Sequence, residues 1–248
     1  PNPSYAPGSG SSAVAAGLPP EIARLADWAV DPLHFMRRAG AAEPVHRDWA
    51  EGYFSGRTAQ LDTLAGWLDD AMAAPGLRVV TGKPGAGKSA LLGVLICAAH
   101  PALRRHTRSL WTSLGDRAPG ENDRLAVVHA RRLALDDIVN SLARQLRHID
   151  GRDCGRSAIE GSKSVVSNPA DYLLRLLPTD GAPVTVVVDA LDEALRPQDI
   201  TTALLLPLAR QAERPNSQLR LLVATRDDER LHGLLAPARN AGGCTDLS

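Results

Sequence analysis

The sequence predicts an α/β fold in which helices cover both faces of a parallel sheet of about five strands. Short apolar runs alternate with stretches of helical periodicity, which is the pattern of β-strands joined by crossover helices. Four of the five residues at positions 184–188 are valine, a composition typical of a central strand buried on both faces. No apolar run approaches the roughly 20 residues that span a bilayer, so we expect no membrane association.

Composition predicts the domain organisation. We expect residues 1–33 to be a flexible linker, rich in Pro, Gly and Ser, that carries one short helix at residues 21–30. We expect the folded domain at residues 34–240, although residues 31–52 look polar and irregular, and a tail at residues 241–248 that continues into further domains. Because the first residue is Pro1 rather than Met, we expect the chain to be a piece of a longer protein or a processed product.

Apolar spacing and cap residues predict the elements of the domain. Leu61, Leu64 and Leu68 recur at helical spacing after Thr58, and Asn168 followed by Pro169 is typical of a helix start. The predicted strands are residues 77–81, 125–130, 184–188 and 219–225. Two predicted helices begin at Thr58 and Pro169, and four others cover residues 89–99, 135–146, 198–212 and 227–235. A kink is predicted at Pro207. Loops are predicted at residues 113–124 and 151–168.

Charge and cysteine content exclude several classes of protein. The 28 basic residues balance the 28 acidic ones, so no basic excess indicates a nucleic-acid partner. Cys97, Cys154 and Cys244 form no CxxC pair, and the histidines are scattered, so we expect neither a zinc site nor a disulfide framework. These features, without a signal peptide, are consistent with a cytoplasmic location.

A glycine-rich segment after the first predicted strand carries the strongest functional signal. Its sequence satisfies G-x-x-x-x-G-K-[ST], and it leads from a predicted strand into a predicted helix, which is the context of a P-loop. Backbone amides and the helix N-terminus would hold phosphate oxygens, Lys88 would reach the β- and γ-phosphates, and the Ser89 hydroxyl would ligate Mg²⁺. The alternative is a turn that only joins a strand to a helix. The predicted nucleotide contacts are Gly82, Lys83, Pro84, Gly85, Ala86, Gly87, Lys88, Ser89 and Ala90.

Acidic residues follow the valine-rich strand. Asp189 ends that strand, and the carboxyl ends of strands face the ligand crevice of an open α/β sheet, so Asp189 is a predicted Mg²⁺ ligand. Asp192 and Glu193 lie one turn later, and one of them, Glu193 by preference, would polarise the attacking water. Alternatively, Asp192 and Glu193 only cap the next helix.

Two weaker signals complete the predicted site. Thr225 and Arg226 end the last buried strand, where Thr225 would contact the γ-phosphate or water and Arg226 would sense phosphate charge, unless Arg226 is only a surface residue. Phe54, Gly56 and Arg57 precede the first domain helix and would contact the base, unless Phe54 is only a core anchor.

Together, these motifs resemble the STAND class of P-loop NTPases, close to the NACHT-type signalling ATPases and to large multidomain actinobacterial ATPases. The resemblance covers roughly residues 34–235. It rests on FSGR, VVTGKPGAGKSALLG, VVVDALDEA, LLVATRD, the segment LAVVHARRLALDDIVNSLARQL, and His34-Phe35 with Arg37 and Arg38.

The resemblance implies a three-layer P-loop NTPase with ASCE-type strand order, in which the LLVATR strand lies between the P-loop strand and the strand that ends at Asp189. It implies a switch that binds ATP or ADP with Mg²⁺, hydrolyses ATP slowly and signals through other protein domains or self-association. Lys88, Asp192, Glu193 and Arg226 would be the catalytic residues. The alternatives are an AAA-type loader or remodelling ATPase and a nucleotide-binding scaffold without turnover. The choice between ATP and GTP, the stimulus, the flanking domains and the oligomeric state stay open.

Overall fold

The computed structural model describes residues 18–28, 30–40, 56–70, 76–151 and 168–248. Within these ranges, five parallel strands form one sheet in the order β2-β3-β4-β1-β5. The strands are β1 (Leu77–Thr81), β2 (Leu125–His129), β3 (Val184–Asp189), β4 (Leu219–Ala224) and β5 (Cys244–Asp246). The α/β class is confirmed, and so is the strand order, because β4, which carries LLVA, lies between β1 and β3.

Helices cover both faces of the sheet. On one face lie α1 (Pro20–Asp27), α2 (Pro32–Arg38), α3 (Thr58–Asp69), α4 (Lys88–Ala99), α5 (Pro101–Arg104) and α6 (Arg108–Leu114). On the other lie α7 (Leu135–Ile149), α8 (Pro169–Leu174), α9 (Pro197–Ile200), α10 (Leu206–Ala212) and α11 (His232–Asn240). A π-helical turn, Thr201–Leu205, joins α9 to α10 just before Pro207, where we predicted a kink.

Alternation along each strand divides the core into two halves. In β3, Val186 and Val188 pack with the α7–α11 side, whereas Val187 packs with the α1–α6 side. Because successive side chains of a strand point to opposite faces, a strand covered on both faces reads as a continuous apolar run. This explains why the valine-rich segment predicted a central strand.

Two expectations about the start of the domain were wrong. Residues 31–52 were expected to be irregular, but α2 begins at Pro32, its N-cap Asp31 accepts from the His34 amide, and Phe35 is fully buried. The short helix predicted at residues 21–30 is present as α1, but it buries Ile22 and Leu25 in the core and is not part of a flexible linker. The loop predicted at residues 113–124 is largely confirmed: α6 ends at Leu114, a 3₁₀ turn follows, and residues 118–124 contain no helix or strand.

The predicted tail at residues 241–248 contains the edge strand β5. Val79 pairs with Cys244 and Thr81 with Asp246. Leu247 is 1% exposed and its amide donates to the Thr81 carbonyl at 2.9 Å. The strand is only three residues long and has no apolar run, which is why periodicity did not reveal it.

Two buried polar side chains fix helices to the sheet. Gln145 of α7 accepts from the Val127 amide at 2.8 Å and donates to the Val127 carbonyl at 2.9 Å, so it pairs with the edge strand β2 as a neighbouring strand would. Arg220 of β4 stacks on Trp67 and donates to the carbonyls of Trp67 and Leu68 at the end of α3. Burial lowers the pKa of Arg220 to about 10.

Candidate functional site

The P-loop lies between β1 and α4, at the carboxyl end of the sheet. Gly85 has φ +79° and Gly87 has φ +92°, a left-handed conformation that side chains rarely adopt, and a Cβ at either position would face open space. Gly87 is the N-cap of α4, so the first amides of that helix face the loop. The loop therefore has the strand–turn–helix geometry that cradles phosphate.

Lys88 folds back onto the loop that carries it. Its Nζ donates to the Gly82 carbonyl at 2.7 Å and to the Lys83 carbonyl at 3.2 Å. Burial lowers the pKa of Lys88, while the charge of nearby Asp192 acts in the opposite direction. The ammonium group is thus held close to the loop backbone, where an anionic ligand could pair with its positive charge.

Ser89 and Asp189 form the pair predicted to hold Mg²⁺. The Ser89 Oγ donates to Asp189 Oδ1 at 3.3 Å, and Asp189 is fully buried at the end of β3. A hydroxyl and a carboxylate are the oxygen ligands that Mg²⁺ prefers. Ala190, which follows, has φ +54°, so the chain turns sharply after Asp189 at a cost of about 1–2 kcal/mol.

Both carboxylate oxygens of Asp192 contact Arg226. Its Oδ1 accepts from the Arg226 amide at 3.0 Å, and its Oδ2 lies 2.8 Å from Arg226 Nε. The Asp192 side chain is 7% exposed, so this contact clamps the turn after β3 to the turn after β4. Both residues were predicted for the site, and the structure brings them together as partners of each other.

Glu193 is more open than Asp192. Its carboxylate is 40% exposed and lies between Arg131, at 3.1 Å, and Arg226, at 3.8 Å. The backbone of this turn also pairs with the turn after β2, because the Arg132 amide donates to the Glu193 carbonyl at 2.9 Å. Glu193 therefore stays available at the surface of the site.

Several predicted contacts lie at the rim of the site or beyond the described residues. Lys83 and Pro84 are exposed at the tip of the loop, whereas Ala86 and Ala90 are half-buried. Thr225 is buried beside the ends of β1 and β3, and its Oγ1 makes no hydrogen bond among the described residues.

Of the predicted base contacts, Phe54 lies outside the described residues. Gly56 has φ +83° and begins the described segment ahead of α3. Arg57 Nη2 donates to the Leu247 carbonyl at 2.6 Å, so Arg57 fastens the start of α3 to the segment after β5. A role for these residues in base binding stays a prediction.

Sequence reasoning missed two histidines and an arginine at the site. His34 Nε2 lies 3.2 Å from Asp189 Oδ2, and because a carboxylate only accepts, Nε2 carries the proton. His129 pairs with Asp189 in the sheet register and stacks on His34 with ring centroids 3.6 Å apart. His129 was detectable as a polar residue at the end of a buried strand, like Asp189, whereas His34 and Arg131 are brought in by tertiary folding.

A cavity of about 300 Å³ lies elsewhere, between α1, α5 and α7. Its lining includes Arg24, Trp28, His100 and His148 and none of the P-loop residues. Among the described residues, no helix is both long enough and apolar enough to cross a bilayer.

The chain is similar to a solved structure and to a protein-family model. A crystal structure of Cdc6p from Pyrobaculum aerophilum is similar to the chain at 19% identity and a TM-score of 0.48. That match covers 88% of this chain and 49% of the other, so the chain spans about half the length of that protein. No curated protein matches the chain.

The family comparison covers the motifs themselves. The family model of the AAA ATPase domain matches residues 53–223, which is more than half of the chain and includes the P-loop, β3 and most of β4. The match supports the broader class that sequence analysis named as an alternative, and it does not reach the STAND or NACHT subclass. This chain, a nucleotide-binding P-loop domain, therefore belongs to the AAA ATPase domain family.

Proposed function

We propose that this domain is a molecular switch that binds ATP with Mg²⁺, hydrolyses it slowly and acts within a multidomain signalling protein of the STAND or NACHT type. The observation that supports this proposal is that the carboxyl ends of three neighbouring strands, β1, β4 and β3, bring the predicted site residues together. The turns after β1, β3 and β4 bring Lys88, Asp189 and Arg226 to one edge of the sheet. Slow switch NTPases that act without a partner turn over at roughly 10⁻⁴–10⁻² s⁻¹.

In this proposal the P-loop binds the phosphates. Backbone amides of residues 85–89 would hold phosphate oxygens, and Lys88 would exchange its two carbonyl contacts for phosphate oxygens. Mg²⁺ would neutralise charge on the β- and γ-phosphates. Ser89 would hold the ion directly, and Asp189 would hold it through its second oxygen or through a water.

Glu193 is the stronger candidate to orient the attacking water. Asp192 uses both carboxylate oxygens on Arg226, whereas the Glu193 carboxylate is 40% exposed and contacts two arginine side chains. A group that accepts a proton from water needs an available lone pair within hydrogen-bond reach of it. Glu193 meets that need without breaking the clamp between Asp192 and Arg226.

Arg226 is the proposed sensor of the γ-phosphate. Its guanidinium is 48% exposed and lies between Asp192 and Glu193. A γ-phosphate would compete with these carboxylates for the guanidinium, and loss of the phosphate would return it to them. The turn after β4 would thereby report whether ATP or ADP is bound.

The AAA family match supports a second candidate, a loader or remodelling ATPase. Such an enzyme acts on DNA or a polypeptide client, so its turnover should rise severalfold when the client is added. A switch should show the same slow turnover with or without DNA or denatured protein. Phosphate release at each condition separates the two candidates, and nucleotide that is bound but never consumed would indicate a scaffold.

Substitutions at Lys88 and Glu193 test the proposal. We expect Lys88→Ala to abolish Mg-ATP binding in calorimetry, because it removes the ammonium group that would reach the β- and γ-phosphates. We expect Glu193→Gln to bind ATP normally and to release phosphate at least about 100-fold more slowly, which is the usual range for loss of a general base. Arg210→Ala and Glu213→Gln, both exposed on or after α10, are the matched controls. Unchanged hydrolysis by Glu193→Gln would refute the assignment of Glu193.

A further inference from the structure

Asp31, His34 and His129 form a cluster of metal-binding side chains next to the proposed nucleotide site. Asp31 precedes α2, His34 lies in the first turn of α2, and His129 ends β2. One donor atom from each residue lies within 4.8 Å of the other two. The three residues are 98 positions apart along the chain at their widest, so only the fold brings them together.

The cluster is organised by its own contacts. Asp31 Oδ1 accepts from the His34 amide at 2.9 Å, which leaves Oδ2 to face His129 Nδ1 at 3.6 Å. Burial acts to raise the pKa of Asp31, but contacts with His129 and the His34 amide outweigh it and hold the pKa below its ordinary value.

Accessibility suits a site that an ion can enter. The side chains of His129 and His34 are 8% and 13% exposed, whereas Asp31 is 53% exposed. The two histidine rings line the buried side of the site, and Asp31 lies on its solvent-exposed side. A water could complete the coordination from the solvent side, as in zinc sites with three protein ligands.

We propose that Asp31, His34 and His129 bind a divalent transition-metal ion, with Zn²⁺ as the preferred ion. Two imidazoles and one carboxylate are nitrogen and oxygen donors that suit Zn²⁺, whereas Mg²⁺ prefers oxygen ligands. The site is therefore chemically distinct from the pair formed by Ser89 and Asp189. No zinc site was expected from the sequence, because its cysteines form no CxxC pair and its histidines are scattered, and this cluster uses no cysteine.

Ion binding requires a small rearrangement. Donors that share a tetrahedral Zn²⁺ ion lie about 3.3 Å apart, given bonds near 2.0–2.1 Å, so the widest separation between donor atoms here must close by at most about 1.5 Å. The rings of His34 and His129 stack with their planes 15° apart, and an ion held by both must lie in the plane of each ring. Binding therefore tilts one ring out of the stack.

The contact between His34 and Asp189 is compatible with ion binding. An imidazole has two nitrogens, so His34 can ligate through one and donate from the other to Asp189 Oδ2. A carboxylate that accepts from a metal-bound histidine is common at metal sites, where it fixes the ring and strengthens the ligand. The ion would then fix the orientation of the His34 ring beside Asp189 of the nucleotide site.

Cobalt titration of the full chain tests the proposal without nucleotide. Tag-free protein is stripped with EDTA and titrated with Co²⁺, followed by absorption in the visible range, and with Zn²⁺, followed by calorimetry. We expect one ion per chain, little competition from millimolar Mg²⁺, and no thiolate charge-transfer band. His129→Asn and Asp31→Asn should each weaken binding by about 100-fold. Loss of a hydrogen bond to a metal ligand costs about 10- to 100-fold, and loss of a ligand should cost at least as much as the upper end of that range.

Matched variants separate this site from others. His106→Asn removes a histidine that pairs with Glu21 outside the cluster and should leave ion binding unchanged. Asp31 is half exposed, so Asp31→Asn keeps the test open if His129→Asn fails to fold, which circular dichroism would report. The proposal is wrong if no ion binds below about 100 μM. It is also wrong if Asp189→Asn abolishes Co²⁺ binding while the cluster variants do not. Neither result bears on ATP binding.

Discussion

Asp189 shows how much a single side chain can depend on distant segments. It is fully buried and has partners on two helices, Ser89 from α4 and His34 from α2. A buried carboxylate without partners is strongly disfavoured, so these contacts help the chain to keep a charge in its core. The same carboxylate is the proposed holder of Mg²⁺, so structural and functional demands meet at one residue.

The clamp between Asp192 and Arg226 is predicted to stabilise the domain. We expect Asp192→Ala to lower the free energy of unfolding by about 1–2 kcal/mol, because it leaves the Arg226 amide without its acceptor. Arg226→Ala should cost less, about 0.5–1 kcal/mol, because its guanidinium is half exposed. Urea unfolding of both variants and the double variant gives the coupling. An additive double variant would show that the two side chains do not interact in solution.

His100 predicts an acid-dependent loss of stability. Burial lowers the pKa of His100 to about 4, and its Nδ1 accepts from the Ala102 amide at the start of α5. The unfolded chain takes up the proton near pH 6.5, before the folded chain does, so this contribution is complete above pH 6.5 and is lost as the pH falls toward 4. The loss is at most about 1.4 kcal/mol per pH unit.

His100→Asn isolates that effect, because asparagine can still accept the Ala102 amide but does not titrate. Urea unfolding between pH 7 and pH 4.5 should show a smaller loss of stability in the variant, by about 2 kcal/mol over the range. Parallel stability curves for the two proteins would mean that His100 is protonated as easily in the folded chain as in the unfolded one.

At the scale of elements, α2 rests on α4 through a glycine. A Cβ at Gly93 would meet the Phe35 carbonyl oxygen at 2.8 Å and the Ala39 amide nitrogen at 3.0 Å, so no larger residue fits without moving α2. Because α2 also carries His34, the helix contact sets the distance between His34 and Asp189. Packing at one glycine thus reaches the candidate site.

Alanine substitutions at two helical glycines should have opposite effects. Gly93→Ala should destabilise the domain by about 1–3 kcal/mol, since the backbone of α2 cannot yield as a side chain would. Gly66→Ala, on the exposed face of α3 with nothing within 4 Å, should stabilise it by about 0.5–1 kcal/mol through helix propensity. Thermal and urea unfolding measure both. Equal effects of the two substitutions would show that α2 does not pack closely on α4.

Elements with strong local signals were predictable. β1, β3 and β4 are apolar runs bounded by polar residues, and α7 repeats its apolar residues every three or four positions. The elements α2 and β5 are too short for apolar periodicity to reveal them. Asp31-Pro32 is a usable helix start, but α2 has only seven residues, and the three residues of β5 form a strand only because Val79 and Thr81 offer free pairing groups.

At the scale of the whole molecule, motif residues were predictable because their chemistry is local to one turn. The P-loop and Asp189 could be placed from sequence since each follows its own strand. The partnership of Asp192 with Arg226 required the order of the sheet, which puts β4 beside β3. The cluster of Asp31, His34 and His129 required the docking of α2, which no periodicity encodes.

The pairing of Gln145 with the edge strand β2 predicts whether molecules of this protein associate with one another. Gln145→Leu leaves the Val127 amide and carbonyl without partners and should lower the free energy of unfolding by about 2–4 kcal/mol. Gln198→Leu, at an exposed position of α9, is the matched control. Sedimentation at rising concentrations should detect larger species only for Gln145→Leu. A variant that loses stability but stays monomeric would limit Gln145 to a packing role.

An open edge strand is a template on which another chain can extend the sheet. The outer side of β2 would offer its backbone to any extended segment nearby, including β2 of a second copy. The Gln145 side chain already occupies the Val127 amide and carbonyl with which such a segment would pair. We therefore expect this one side chain to oppose extension of the sheet from molecule to molecule.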